Sequence, residues 1–79
     1  MDHMEELETA ERHLQQALVA FQEGRWMDCC RSLGVMQNHV VEVVPWVAQH
    51  AFLNEKAKKK DIATALGVPP AYLRGLERW

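Results

Sequence analysis

The chain has 79 residues and a formal net charge of −2, and 48% of its residues are hydrophobic. A chain of this length forms one domain at most and buries only ~60–65% of its unfolded surface, so its stability is marginal without a partner. No run reaches the ~18 consecutive apolar residues that a membrane-spanning helix needs, so a membrane partner is not expected.

The charges are unevenly distributed along the chain. Residues 1–24 carry six acidic residues against Arg12 alone, whereas residues 55–79 carry six basic residues against three acidic ones. This asymmetry predicts two surfaces with different roles. The alternative is that the acidic and basic ends of the chain match each other within the fold.

The first predicted helix runs from Asp2 to Gln22, where apolar residues recur at three- and four-residue steps. Asp2 is a candidate N-cap, and Gly24 suits the left-handed conformation that ends a helix. A second helix is predicted to begin near Arg25 or Trp26 and to run antiparallel to the first, because the link is short. The apolar positions of the first helix are Leu7, Ala10, Leu14, Ala17 or Leu18, and Phe21.

Pro45 marks a predicted break in the second helix. A proline inside a helix lowers its stability by ~3 kcal/mol or more, but at the first helical position the loss is small. We therefore expect a third helix from Pro45 to about Asn54, with a kinked continuous helix as the alternative. Trp26 and Trp46 are expected in the core. The apolar face of the second helix is predicted to hold Trp26, Cys29 or Cys30, Leu33, Met36, Val40, and Val43 or Val44.

Two short helices are predicted at the end of the chain, from Lys59 to Leu66 and from Pro70 to Glu77, with Gly67 ending the first. Since no strand pattern occurs, the predicted fold class is all-α. We expect a small bundle of four to five helices in a single domain, with a helical hairpin over 1–44 and a helix-turn-helix over 45–79. The residues expected to face inward in the last unit are Ile62, Ala63, Leu66, Val68, Tyr72 or Leu73, and Leu76.

The last 35 residues also carry a family resemblance. Ala63 is small where a second helix would cross, Gly67 fills the turn, and apolar residues follow at helix-turn-helix offsets. Residues 45–79 resemble the helix-turn-helix of bacterial and phage regulators, including the lambda-repressor-like group and small actinobacterial proteins. The run Tyr72–Arg78 is similar to the aromatic, Leu and Glu-Arg ending of the lambda-repressor-like pattern.

The resemblance implies that the second helix of the pair enters the DNA major groove. Arg74 is then the best candidate for a base contact, because an arginine can bind guanine through two hydrogen bonds. Pro69 and Pro70 depart from the polar start that such a helix usually has, and Gly75 weakens it, so a packing or protein-binding use stays open. The implied DNA-binding residues are Lys58, Lys59, Lys60, Thr64, Pro70, Ala71, Tyr72, Arg74 and Arg78, with Pro69 beside them.

The function expected from this reasoning is a transcriptional regulator that binds double-stranded DNA as a homodimer and acts by occupying an operator. The alternative is a non-catalytic regulator that binds a protein through its acidic first helix, such as a phage-type inhibitor of a host transcription factor or RNA polymerase. The residues expected at the dimer or partner interface are Leu7, Leu14, Leu18, Phe21 and Trp79.

No nucleophile–base pair, phosphate loop or paired-carboxylate motif occurs, so neither an enzyme nor a cofactor is expected. The four histidines and two cysteines lack the spacing of a metal site. Adjacent cysteines such as Cys29 and Cys30 bridge each other only with strain, and we expect one in the core and one at the surface. The lack of a disulfide framework predicts the reducing cytoplasm as the compartment.

Overall fold

The computed structural model describes residues 2–76, with side chains through Leu73. All regular structure in that range is α-helical, which confirms the predicted class. The chain divides into two compact units, Met1–Val43 and Val44–Trp79. None of the described helices is long and apolar enough to cross a membrane. The helices are α1 (His3–Gln22), α2 (Trp26–Asn54), α3 (Lys59–Leu66) and α4 (Pro70–Leu76).

Helix α1 begins and ends as its sequence predicts. The Asp2 carboxylate accepts a hydrogen bond from the Glu5 amide at 2.9 Å, which satisfies one of the free amides of the first turn. At the other end, Gly24 adopts φ +71°. The Arg25 amide then donates to the Ala20 carbonyl at 2.8 Å, so the chain reverses and enters α2 one residue later.

The predicted break at Pro45 is wrong, because α2 continues through it to Asn54. A proline removes one helical hydrogen bond and crowds the preceding turn, but it does not forbid a helix whose flanks are held by packing. Val43 and Ala48 are buried on either side of Pro45. The proline still marks a boundary, since the two compact units divide between Val43 and Val44.

The core of the first unit consists of small side chains. Ala17, Ala20 and Cys29 form one buried cluster, and Thr9 and Ala10 are buried further along α1. Cys30 is exposed, so the two cysteines divide between core and surface as expected. Because alanines bury little apolar area, this core contributes less stabilisation than one built from leucines would.

The second unit has its own apolar core. Ala48 from α2, Ile62 and Ala63 from α3, and Leu73 from α4 are all buried together. Four partly buried residues pack against this cluster, namely Ala51, Phe52, Ala57 and Val68. The inward positions predicted at Ile62, Ala63, Val68 and Leu73 are therefore confirmed.

Three residues predicted to be buried are exposed. Trp26 is 59% exposed, Trp46 is 44% exposed and Leu66 is 37% exposed. The Trp46 ring lies against the His50 ring, with 4.1 Å between centroids. The core predictions for the two tryptophans and for Leu66 are wrong, because periodicity identifies a helix face but not whether another element covers it. The side chain of Leu76 lies outside the described residues.

Two glycines allow a test of the helix geometry with the same substitution. Gly34 lies within α2, and Gly67 ends α3 at φ +71°. A Cβ added at either position meets nothing within 4 Å, so backbone preference alone decides the outcome. We expect Gly34→Ala to raise the free energy of unfolding by about 1 kcal/mol and Gly67→Ala to lower it by about 1 kcal/mol.

Chemical denaturation of both variants beside the parent protein measures the two effects. Each variant is the control for the other, since both add one methyl group. Shifts of the same sign would contradict the assigned backbone conformations.

Candidate functional site

The basic end of the chain centres on the pair α3 and α4. Gly67 ends α3 in the left-handed conformation, and the Val68 amide donates to the Ala63 carbonyl at 3.0 Å. This closes the turn tightly, so that α4 begins at Pro70. Proline suits the first helical position because its missing N–H has no partner there in any case. The pair packs through Ile62, Ala63 and Leu73, together with Ala48 of α2.

The lysines at the start of α3 do not share one environment. Lys58 and Lys60 are exposed, and neither forms an ion pair within the part of the chain that the structure describes. Lys59 is partly buried, with its Nζ 5.3 Å from the centroid of the Phe52 ring. A cation over an aromatic face is stabilised by the ring quadrupole. Lys58 and Lys60 are thus available to an anionic ligand, whereas Lys59 also contributes to packing.

The start of α4 presents a short exposed surface. Pro69, Pro70, Ala71 and Tyr72 are all exposed, whereas Leu73 is 1% exposed. Of the alternatives Tyr72 and Leu73, the core position is therefore Leu73. Neither proline has an N–H to donate, so this surface offers apolar contact and the Tyr72 hydroxyl.

Thr64 is exposed on α3, but its hydroxyl already donates to the Lys60 carbonyl at 3.0 Å. A phosphate would have to compete with that internal bond for the hydroxyl proton. Arg74 lies in α4 by its backbone, and its side chain lies outside the described residues. Arg78 and Trp79 also lie outside the described residues.

Leu66 lines a shallow groove instead of the core. The groove has a volume of about 240 Å³ and lies between the end of α2 and α3. Its floor is apolar, and the carboxylates of Glu55 and Asp61 contribute to its lining. This groove belongs to the same unit as the exposed lysines, and two acidic residues contribute to its lining, so that unit is not uniformly basic.

In the first unit, the residues predicted to form an interface are exposed. Leu7, Leu14, Leu18 and Phe21 all have more than a third of their surface in solvent. The matching exposed residues of α2 are Trp26, Leu33 and Val40, which were predicted on the apolar face of that helix but not as part of an interface. Trp26, Leu33 and Val40 recur at seven-residue steps in the sequence, as do Leu7, Leu14 and Phe21, and this shared spacing indicates a common surface. We call these seven residues the apolar face of the hairpin.

A polar cluster lies elsewhere on the hairpin. His39 Nδ1 lies 2.5 Å from a Glu6 carboxylate oxygen, and the His13 and His39 rings stack with 6.2 Å between centroids. These contacts tie the N-terminal half of α1 to α2. No group of three or more His, Cys, Asp or Glu side chains suited to a metal ion is found among the described residues.

Ion pairs hold the turn of the hairpin. Arg25 bonds to Glu23 at 3.0 Å and to Asp28 at 2.9 Å, and Arg31 bonds to Asp28 at 2.7 Å. The hydrogen bond to Asp28, followed by that to Glu23, raises the pKa of the exposed Arg25 guanidinium. Since these pairs are solvent-exposed, they orient the turn more than they stabilise it.

Comparison with models of protein families, with curated proteins and with solved structures found no match.

The packing of α4 can be tested with two leucines that differ in burial. Leu73→Ala removes a side chain that is 1% exposed and leaves a cavity, so we expect the free energy of unfolding to fall by about 2–5 kcal/mol. Leu66→Ala is the matched control, since Leu66 is 37% exposed, and we expect about 1 kcal/mol or less. Equal losses at the two positions, measured by chemical denaturation, would contradict the seating of α4 on this core.

Proposed function

We propose that the chain is a small transcriptional regulator that binds double-stranded DNA through α3 and α4 and acts, as a dimer, by occupying an operator. The observation that carries this proposal is the tight turn at Gly67 between two short helices that share a buried core. That arrangement leaves the start of α4 exposed. The proposal takes these two helices as a helix-turn-helix, whose second helix would enter the major groove.

The chemistry of the exposed residues supports contact with a duplex. Lys58 and Lys60 are free to neutralise phosphates, which supplies affinity without sequence preference. Pro70, Ala71 and Tyr72 offer apolar contact of the kind that a thymine methyl group accepts. In this proposal Arg74 contacts a base, and Thr64, Lys59 and Arg78 contact the backbone.

We infer a dimer because the surface of α4 that would contact DNA bases is small. A single short helix contacts few base pairs, and regulators of this kind gain affinity by binding two half-sites about one DNA turn apart. The exposed interface residues of α1 are consistent with that requirement.

A second candidate function has its own supporting observation. The apolar face of the hairpin is exposed, and α1 carries Glu5, Glu6, Glu8 and Glu11 against Arg12 alone. Exposed apolar surface beside charged residues is typical of a protein interaction site. The alternative proposal is therefore a non-catalytic regulator that binds another protein, such as a transcription factor or RNA polymerase, through the hairpin.

Salt dependence of duplex binding tests the first proposal. We expect Lys58→Ala combined with Lys60→Ala to weaken binding and to lower the slope of log K against log salt by about 2, since each phosphate contact contributes about 0.9. Lys59 is left unchanged because it packs over Phe52. The matched control is Arg12→Ala combined with Arg31→Ala, which removes the same charge from the hairpin and should leave the slope nearly unchanged.

Fluorescence anisotropy with random-sequence and selected duplexes measures both slopes. If the parent protein shows no duplex binding at ~50 mM salt, where non-specific phosphate contacts are strong, the DNA proposal fails. A pull-down with and without nuclease then distinguishes a protein partner from one recovered only through DNA.

A further inference from the structure

The hairpin buries its small residues and exposes its large ones. Ala10, Ala17 and Ala20 are at most 5% exposed, whereas Leu14 is 39% and Phe21 is 62% exposed. An isolated pair of helices gains stability by burying its largest apolar side chains first. Because this hairpin instead buries alanines and leaves larger apolar side chains exposed, we infer that the apolar face is covered by something outside the hairpin.

Helical spacing places the seven large residues along one side of the hairpin. The Phe21 and Trp26 rings meet edge to face beside the turn, with 5.2 Å between centroids. Because the helices run antiparallel, each step back along α1 matches a step forward along α2. Phe21 and Trp26 thus form the first of three levels, each made of one residue of α1 and one of α2. At seven-residue intervals from the turn, Leu14 with Leu33 forms the second level and Leu7 with Val40 the third. The three levels span most of the length of the hairpin, with Leu18 between the first two.

Polar contacts occupy another part of the hairpin. Glu6 and His13 lie about a quarter turn of α1 from Leu7 and Leu14, and there they contact His39 of α2. A separate groove near the turn is lined by Gln15, Gln16, Val19, Ala20, Arg25, Asp28, Arg31 and Ser32. The apolar face takes part in neither of these features.

Charge restricts what can cover this face. Helix α1 carries four glutamates against one arginine, whereas the part of α2 from Trp26 to Val43 carries Asp28 and Glu42 against Arg31. Glu11 borders the apolar row of α1, and the neutral Cys30 and Gln37 border that of α2. Two α1 helices facing each other would bring acidic edges together, but α1 facing α2 would not.

We propose that the apolar face is a homodimer interface, in which two hairpins form a four-helix bundle with α1 of one copy packed on α2 of the other. The α1–α2 turns of the two copies then lie at the same end of the bundle, and Leu14 contacts Leu33 of the partner subunit. This inference specifies the dimer of the proposed function and does not depend on DNA binding.

The extent of the face is compatible with this assignment. From their exposed fractions, the seven residues offer on the order of 600 Å² per copy, at the lower end of the ~1,200–2,000 Å² in total that a standard interface buries. An isologous interface also requires one surface to be complementary to itself, and the α1 and α2 rows provide two matched ridges for that purpose. The acidic border of α1 disfavours an anionic lipid surface as the alternative covering.

Crosslinking tests the arrangement directly. In a Cys30→Ser background, one sample carries Leu14→Cys, another carries Leu33→Cys, and the two are mixed, without DNA, and oxidised. We expect a disulfide-linked dimer in the mixture and little in either sample alone. Efficient self-crosslinking of Leu14→Cys would show α1 facing α1 and would overturn the proposed arrangement.

Sedimentation equilibrium of the parent protein decides whether a dimer exists at all. A monomer at high protein concentration would overturn the proposal and leave the face to a different protein. We expect Leu14→Glu to weaken the dimer roughly 100-fold or more, because a carboxylate would be buried in an apolar contact. The matched control is Val19→Glu, since Val19 is 47% exposed on the opposite side of α1, and its dimer should match the parent.

The outcomes separate this inference from the proposed function. A dimer that fails to bind duplex leaves the interface standing and removes the DNA proposal. A monomer that binds duplex removes the proposed interface and leaves DNA binding standing.

Discussion

The structure depends on one constraint, which is how little apolar surface a chain of 79 residues can bury within itself. Each unit has a separate small core, made of alanines and a cysteine in the hairpin and of Ala48, Ile62, Ala63 and Leu73 in the second unit. Neither core buries the seven large side chains of the apolar face. The chain therefore carries more apolar residues than its own fold can cover, and association offers a way to cover them.

The local structure of the chain was largely predictable from its sequence. The bounds of α3 at Lys59 and Leu66 follow from a glycine that stops the helix and from inward residues at helical spacing. Asp2 and Gly24 marked the ends of α1 for the same kind of local reason. Such features depend on a few neighbouring residues and on backbone preferences, which is why they can be read without knowledge of the tertiary fold.

The failures arose where tertiary packing decides. Pro45 was predicted to start a helix, but α2 continues through it, with buried residues on both sides. Trp26 and Trp46 were expected in the core, yet 59% and 44% of their surfaces are exposed. The same limit applied to the candidate interface, where the α1 residues were recognised but their partners on α2 were not. Spacing alone could not show that the two rows lie side by side.

The unequal environments of Cys29 and Cys30 have a practical consequence. Cys29 is buried, whereas Cys30 is exposed and borders the apolar row of α2. Thiol reagents act on accessible thiolates, so a maleimide dye should modify the folded chain at a single position without any mutation. That position lies next to the surface on which association would occur. The natural sequence thus contains its own attachment point for a fluorescent reporter, whose emission would respond to a change in the polarity around it.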